Sequence, residues 1–183
     1  MKSKFCAFIL KMLGWTVDSG LAPEKKCILL GAPHTSIWDV VIAYLYYRSQ
    51  GGHAKCMVKK EAFFPPLGNL LRAMGCIPVD RKNATSMLHS IIHEFNSSDN
   101  LHLAIAPEGT RRPVRRWKTG FHTIARAANV PVYLAYFDWG TKHVGYSQKV
   151  ELTDDAQADM ARIQQLYAQM NLQGKHPEKY LAQ

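Results

Sequence analysis

The chain has 183 residues, of which 47% are hydrophobic, and its 23 Lys and Arg against 14 Asp and Glu give a net charge of +9. This composition excludes an intrinsically disordered chain and fits one domain with its own core. The positive charge favours an anionic partner, such as a membrane surface, a nucleic acid or a phosphate-bearing substrate, without choosing among them.

The N-terminal segment, residues 1–20, begins with an apolar run that Lys11 interrupts. The run is too short to span a membrane, which takes about 20 apolar residues. We expect a short amphipathic helix that either lies on a membrane or packs against its own domain. One face of this helix consists of Phe5, Phe8, Ile9, Met12 and Leu13.

Apolar runs of strand length alternate with helical patterns along the rest of the chain. The predicted strands are residues 27–30, 54–58, 77–79, 101–106 and 132–137, and the predicted helices are 37–48, 67–74, 85–95, 121–128 and 155–170. The alternation predicts an α/β fold, a single domain with a largely parallel central sheet flanked by helices. The domain is expected to cover 21–172, with an added hairpin around 143–146 and 149–152 and a loose tail at 173–183.

Polar and ionisable residues directly follow three of the predicted strands, in LLGAPHTS (29–36), CIPVDRK (76–82) and LAIAPEGTRR (103–112). Ligands of open α/β sheets bind beyond the carboxyl ends of the strands. If the three strands are parallel neighbours, one pocket gathers these side chains. They are His34, Asp39, Asp80, Arg81, Glu108, Thr110 and Arg111.

His34 and Asp39 are five residues apart, a spacing that puts two side chains on different faces of a regular helix. Pro33 disfavours helix just before this pair, so His34 is expected in a loop and Asp39 in the first helical turn. There Asp39 can orient the imidazole so that its other nitrogen accepts a proton from a hydroxyl. Ser36 or Thr35 can cap the helix that follows. The alternative is structural: residues 36–39 match a capping box in outline, with Asp39 favoured by the helix N-terminus.

The E-G-T-R stretch at 108–111 leaves a strand through a proline. Gly109 permits close approach of the backbone to a ligand, and Thr110 and Arg111 can donate hydrogen bonds to phosphate oxygens. Glu108 can orient Arg111 or a ligand hydroxyl. The alternative is a surface turn with a Glu–Arg pair.

Together, H-x-x-x-x-D at 34–39 and E-G-T-R at 108–111 resemble the glycerolipid acyltransferase superfamily, whose members acylate glycerol 3-phosphate or lysophosphatidate. The segment 58–81 is similar to the family's middle block, which ends in a substrate-binding arginine, here Arg81. The segment 129–137 is similar to a later block that carries a proline. The stretch after E-G-T-R resembles the family's basic, glycine-containing segment, with Lys118 in it.

The resemblance implies that an acyl group moves from coenzyme A or an acyl carrier protein to a lysolipid hydroxyl, most simply that of 1-acyl-glycerol-3-phosphate. His34 would be the general base and Asp39 its orienting partner. The substrate-binding residues it implies are Arg81, Glu108, Gly109, Thr110, Arg111 and Lys118. The reaction needs no cofactor and no metal; His89 and His93 are expected on an exposed helix without a third ligand. An apolar acyl groove lined by Phe63, Phe64 and Leu67 is an alternative to the favoured reading of these residues as core.

Other functions share these features. A thioesterase would use water at the same base, a lyso-aminolipid could replace the phosphate-bearing acceptor, and a non-catalytic module could bind membranes with the same fold. The basic run at 111–118 suits anionic headgroups, coenzyme A phosphates or an acidic carrier. No nucleic-acid module is recognisable. The four cysteines form no C-x-x-C pair, and Cys27, Cys56 and Cys76 are expected to be buried free thiols, which suits a reducing compartment. From the net charge, the basic run and the apolar face of residues 5–13, we expect a peripheral protein on the cytoplasmic face of the membrane.

Overall fold

The computed structural model describes residues 2–80 and 83–181. The helices in these residues are α1 (Lys2–Met12), α2 (Trp38–Ser49), α3 (Leu67–Ala73), α4 (Ala84–Ser97), α5 (Gly120–Ala128) and α6 (Ala156–Gln169). The strands are β1 (Thr16–Val17), β2 (Lys26–Ala32), β3 (Ala54–Lys59), β4 (Cys76–Val79), β5 (Leu101–Ile105), β6 (Val132–Asp138) and β7 (His143–Val150). Short 3₁₀ helices lie at Lys60–Ala62 and Pro177–Lys179.

The strands form one sheet in the order β1-β7-β6-β2-β5-β3-β4. The central strand β2 pairs in parallel with β5 and β6, and β3 pairs in parallel with β5 and β4. Only β7 runs against its neighbour β6, and it pairs in parallel with β1. The predicted α/β domain with a largely parallel sheet is confirmed, and the carboxyl ends of β5, β2 and β6 meet at one edge.

Two details of the predicted topology are wrong. Strand β4 lies at the sheet edge, so the segment after it starts three strand spacings from β2, about 14 Å at about 4.8 Å each. Asp80 there lies 4.0 Å from Lys60, and Arg81 is outside the described residues. The predicted hairpin at 143–152 is instead the single strand β7, whose exposed Ser147 and Gln148 resemble a turn in sequence.

The core consists of two apolar layers, one on each face of the sheet. Because side chains alternate along a strand, Ile28 and Leu30 of β2 face α4, α5 and α6, whereas Cys27 and Leu29 face α1 and α2. Burial of each such aliphatic side chain stabilises the fold by about 1.5–3 kcal/mol. All four cysteines are free thiols.

Helix α1 packs against α2 through Cys6 and Leu10, which are buried. Most of the predicted apolar face points to solvent instead: Phe5 is 64% and Phe8 is 60% exposed, and Met12 and Leu13 are also exposed. The helix therefore has a buried and an exposed apolar side. No helix in residues 2–80 and 83–181 has the length and apolar character to cross a membrane.

Residues 173–180, here called the C-terminal strap, lie against the carboxyl ends of β2 and β6. The Gln173 N–H donates to Asp138 Oδ1 at 2.9 Å, and the His176 N–H donates to Thr35 Oγ1 at 3.2 Å. These hydrogen bonds hold the strap next to the loop between β2 and α2.

Candidate active site

His34 lies in the loop between β2 and α2, and Asp39 lies in the first turn of α2. Asp39 is only 1% exposed, and its Oδ2 lies 3.2 Å from His34 Nδ1. The contact predicted from the sequence is therefore present. It faces the carboxyl edge of the sheet, where ligands of such folds bind.

Asp39 is held by donors on both oxygens. Its Oδ2 accepts the N–H groups of Thr35 at 2.8 Å and Ser36 at 2.7 Å, and its Oδ1 accepts Trp139 Nε1–H at 2.8 Å. A carboxylate acceptor requires the proton of His34 on Nδ1, which leaves the Nε2 lone pair for a substrate proton.

The start of α2 has the predicted Ser36 hydrogen bond, but from the residue before the N-cap position. Ile37 occupies the N-cap position and provides no side-chain hydrogen bond, whereas Ser36 Oγ accepts the Trp38 N–H at 3.3 Å. Asp39 instead binds backbone donors that precede the helix. Its side chain thus fixes the shape of the loop that carries His34.

Trp139 is a site residue that the sequence analysis missed. It follows β6, and its indole ring contacts two ammonium groups, Lys142 Nζ at 4.7 Å and Lys175 Nζ at 4.3 Å from the ring centroid. The signal was available, because YFDWGTK also runs from an apolar strand directly into polar residues. Trp139 follows β6, the neighbour of β2, and orients Asp39 through the indole N–H.

Glu108 follows β5 and holds the His34 loop through a hydrogen bond to its backbone. Its Oε1 accepts the His34 N–H at 2.8 Å, while Oε2 is buried without a hydrogen-bond partner among the described residues. Burial raises the pKa of Glu108 to about 8; the nearby Asp39 charge adds to the rise and the His34 N–H opposes it. Its contact is with His34 rather than Arg111, and its role in substrate binding stays a prediction.

The other predicted binding residues of this segment lie together. Gly109 has a φ of +66°, and a Cβ added there would come within 3.1 Å of Lys118 Cγ. The Lys118 N–H donates to Pro107 O at 2.7 Å, and Thr110 Oγ1 accepts the Arg112 N–H at 3.2 Å. The local fold therefore needs glycine at 109 and brings Lys118 back beside it.

A basic cavity of about 620 Å³ opens beside the His34 loop. Its lining combines residues 35–38, residues 110–113 and three residues of the strap. The strap residues are Lys175, His176 and Lys179. The cavity includes Thr110 and Arg111 from the predicted binding set.

A second cavity, apolar and about 120 Å³ in volume, lies between α2 and the sheet and reaches His34 and Asp39. Small residues leave this space in the layer, among them Gly31, Ala104 and Ala135. None of the residues proposed for an acyl groove lines it.

Phe63, Phe64 and Leu67 were expected in the core, with an acyl groove as the alternative. Phe64 and Leu67 are exposed, and Phe63 is half-buried beneath the Arg72 guanidinium, which lies 5.4 Å from its ring. Their expected place in the core is wrong, because α3 lies at the sheet edge beside β4.

Within residues 2–80 and 83–181, no three His, Cys, Asp or Glu side chains form a metal-binding group.

A family model described as Acyltransferase matches residues 17–137, a span that contains His34, Asp39 and Glu108. The fold is similar to the crystal structure of the 1-acyl-sn-glycerophosphate (LPA) acyltransferase PlsC from Thermotoga maritima, with a TM-score of 0.63 and 15% sequence identity. The alignment covers 94% of this chain and 79% of that one. Among curated proteins, none matches the sequence.

Proposed function

The chain belongs to the acyltransferase family, and on that premise we propose that it moves a fatty acyl group from an acyl thioester to the hydroxyl of a lysophospholipid. The favoured acceptor is 1-acyl-glycerol-3-phosphate, and the donor is acyl-coenzyme A or an acyl carrier protein. The observation that carries the proposal is the His34–Asp39 pair, which lines the apolar cavity and flanks in the chain residues 35–38, which line the basic cavity. An acyl chain fits the apolar cavity, and the phosphate of an acceptor fits the basic cavity.

In this mechanism, His34 Nε2 takes the proton of the acceptor hydroxyl as its oxygen attacks the thioester carbonyl carbon. Asp39, bound to Nδ1 at 3.2 Å, stabilises the imidazolium that forms. The tetrahedral intermediate then collapses, the C–S bond breaks, and His34 returns the proton to the thiolate. The acceptor oxygen is the nucleophile, so the chain supplies a base and no covalent intermediate.

The basic cavity supports a phosphate-bearing acceptor. Thr110 and Arg111 line it, and Thr35, the neighbour of His34 in sequence, forms part of the same wall. An arginine beside a hydroxyl donor suits phosphate oxygens, which accept charge-assisted hydrogen bonds. The PlsC structure is described as a 1-acyl-sn-glycerophosphate acyltransferase, in agreement with this acceptor.

The apolar cavity is proposed to hold the start of the acyl chain. It lies beneath α2, with Val40 and Ala43 on the helix side and Ala104 on the sheet side. Apolar walls favour a hydrocarbon chain because its burial removes apolar surface from water. Its contact with His34 would bring the thioester carbonyl close to the base.

We further propose a peripheral position on the cytoplasmic face of a membrane. The net charge is +9, and α1 presents Phe5 and Phe8 to solvent between exposed Lys4 and Lys11. Apolar side chains beside cations bind the interface of anionic lipid, where each cation contributes about 1 kcal/mol. A lysolipid acceptor would then reach the site from the surface.

The test is an acyl-transfer assay with a panel of lysolipids and both thioester donors. The purified protein should convert 1-acyl-glycerol-3-phosphate to phosphatidate, and His34→Ala should lower the rate by about 10²–10⁴-fold. His93→Ala, on the exposed side of α4, is the matched control and should keep the wild-type rate.

Other products would point elsewhere. Release of free fatty acid regardless of acceptor would identify a thioesterase. Transfer only to a lyso-aminolipid would show that the acceptor carries no phosphate. A folded protein without turnover on any substrate would contradict the enzymatic proposal.

A further inference from the structure

The C-terminal strap forms a wall of the basic cavity. Lys175 and Lys179 of the strap line it together with Arg111 and Arg112 of the loop after β5. The strap lies beyond residues 17–137, the span matched by the family model. Its cations are therefore an addition to the site that the family motifs do not include.

Close packing fixes the strap against the catalytic loop. Gly174 is buried against Thr35, and a Cβ added at 174 would approach Thr35 Oγ1 to 2.8 Å. The next residue, Lys175, places its Nζ 4.3 Å from the centroid of the Trp139 ring, and the His176 N–H binds Thr35 Oγ1. Two lysines on an ordered segment lose less freedom on ligand binding than two on a loose tail.

The charges of the cavity are not neutralised from within. Among the described residues, no carboxylate lies within 4.0 Å of the charged nitrogens of Arg111, Arg112, Lys175 or Lys179. Within the strap, the exposed Glu178 lies 3.7 Å from His176 Nδ1. Four cations around one cavity attract an anion with several charges.

We propose that Lys175 and Lys179 bind a phosphate group of a substrate together with Arg111, so that the strap completes the phosphate subsite. The inference rests on the proposed acyl transfer and adds residues to its substrate site. The phosphate belongs either to the lysolipid acceptor or to coenzyme A, since both present the same oxygens to lysine and arginine. The neighbouring Thr35 links this subsite to the base at His34.

The test compares Lys175→Gln/Lys179→Gln with Lys25→Gln/Lys149→Gln, which removes the same charge at the opposite end of the sheet. Lys25 precedes β2, and Lys149 is in β7 opposite the start of β6. The strap variant should raise KM for a phosphate-bearing substrate about tenfold or more, with kcat little changed. The control variant should match wild type.

Phosphate-free substrates identify the bound group. A KM rise with 1-acyl-glycerol-3-phosphate and none with monoacylglycerol assigns the acceptor phosphate. A rise with acyl-coenzyme A and none with an acyl-pantetheine thioester assigns the donor. Unchanged KM values for both phosphate-bearing substrates would overturn the proposal, as would an equal change with the phosphate-free ones.

A binding measurement separates this inference from the catalytic proposal. Calorimetric titration with coenzyme A and with glycerol 3-phosphate needs no turnover. If wild type is inactive yet binds either ligand, and the strap variant alone loses binding, the subsite stands without the proposed reaction. Absence of binding of both ligands to wild type, or equal binding by the strap variant, would refute the subsite.

Discussion

Replacement of Glu108 by glutamine should change how the stability of the protein depends on pH. The side chain is 6% exposed, and burial raises its pKa from 4.5 to about 8. Glutamine has the same shape, keeps an oxygen acceptor for the His34 N–H, and has no proton to release. The variant therefore removes one titration while it keeps the main contact.

The magnitude follows from proton linkage. Between pH 4.5 and pH 8 the unfolded chain releases the Glu108 proton and the folded chain retains it. The free energy of unfolding then falls by about 1.4 kcal/mol for each pH unit, and the loss ends above the folded pKa. From pH 5 to pH 8 this titration alone costs wild type about 3–4 kcal/mol relative to Glu108→Gln.

The assay is urea-induced unfolding at pH 5, 6.5 and 8, followed by tryptophan fluorescence. The difference in unfolding free energy between Glu108→Gln and wild type should grow steadily in favour of the variant as pH rises. Glu61→Gln, at an exposed carboxylate, is the control and should parallel wild type. Parallel curves for Glu108→Gln and wild type would show that the pKa of Glu108 is not raised in the folded protein and would contradict this prediction.

Three further predictions concern the site and its surroundings. Trp139→Phe leaves the buried Asp39 Oδ1 without its donor, so unfolding free energy should fall by about 1–3 kcal/mol and kcat should fall with KM retained; unchanged kcat in steady-state kinetics would contradict this. Arg111→Ala should raise KM for a phosphate-bearing acceptor by about 10–100-fold and spare monoacylglycerol, and an equal rise for both would indicate a structural role. The double variant Phe5→Ser/Phe8→Ser should be released from anionic vesicles at high salt, because salt screens the charges and the variant lacks the apolar contacts that hold wild type. Co-sedimentation equal to wild type would exclude α1 as the membrane contact.

The sequence predicts the elements whose signal is local. Each strand of the parallel core is an apolar run, and Pro33 marks the break that lets His34 and Asp39 meet. Strand β1 has two residues and offers no such pattern. In β7 the exposed stretch around Ser147 reads as a turn, because the solvent side of an outer strand carries the same polar residues as a loop.

The remaining parts of the site depend on distant contacts. Trp139 meets Asp39 across 100 residues, and Glu108 meets the His34 backbone across 74. Periodicity and motif spacing carry no record of such pairs. The strand order that joins them is also hidden, since an apolar run does not state which neighbour it pairs with, and β4 was therefore expected beside the site rather than at the edge.

The distances along the chain between bonded groups suggest an order in which the site is assembled during folding. The His34–Asp39 bond closes a loop of five residues, whereas the His176–Thr35 bond joins groups 141 residues apart. The entropy lost in loop closure rises with length, by about 0.6 kcal/mol for each doubling. We expect the loop with the base to form early, with β2 and α2, and the phosphate side to form after α6 has docked. A partly folded chain would then carry a base without its anion subsite, and substrate would be captured only by the finished fold.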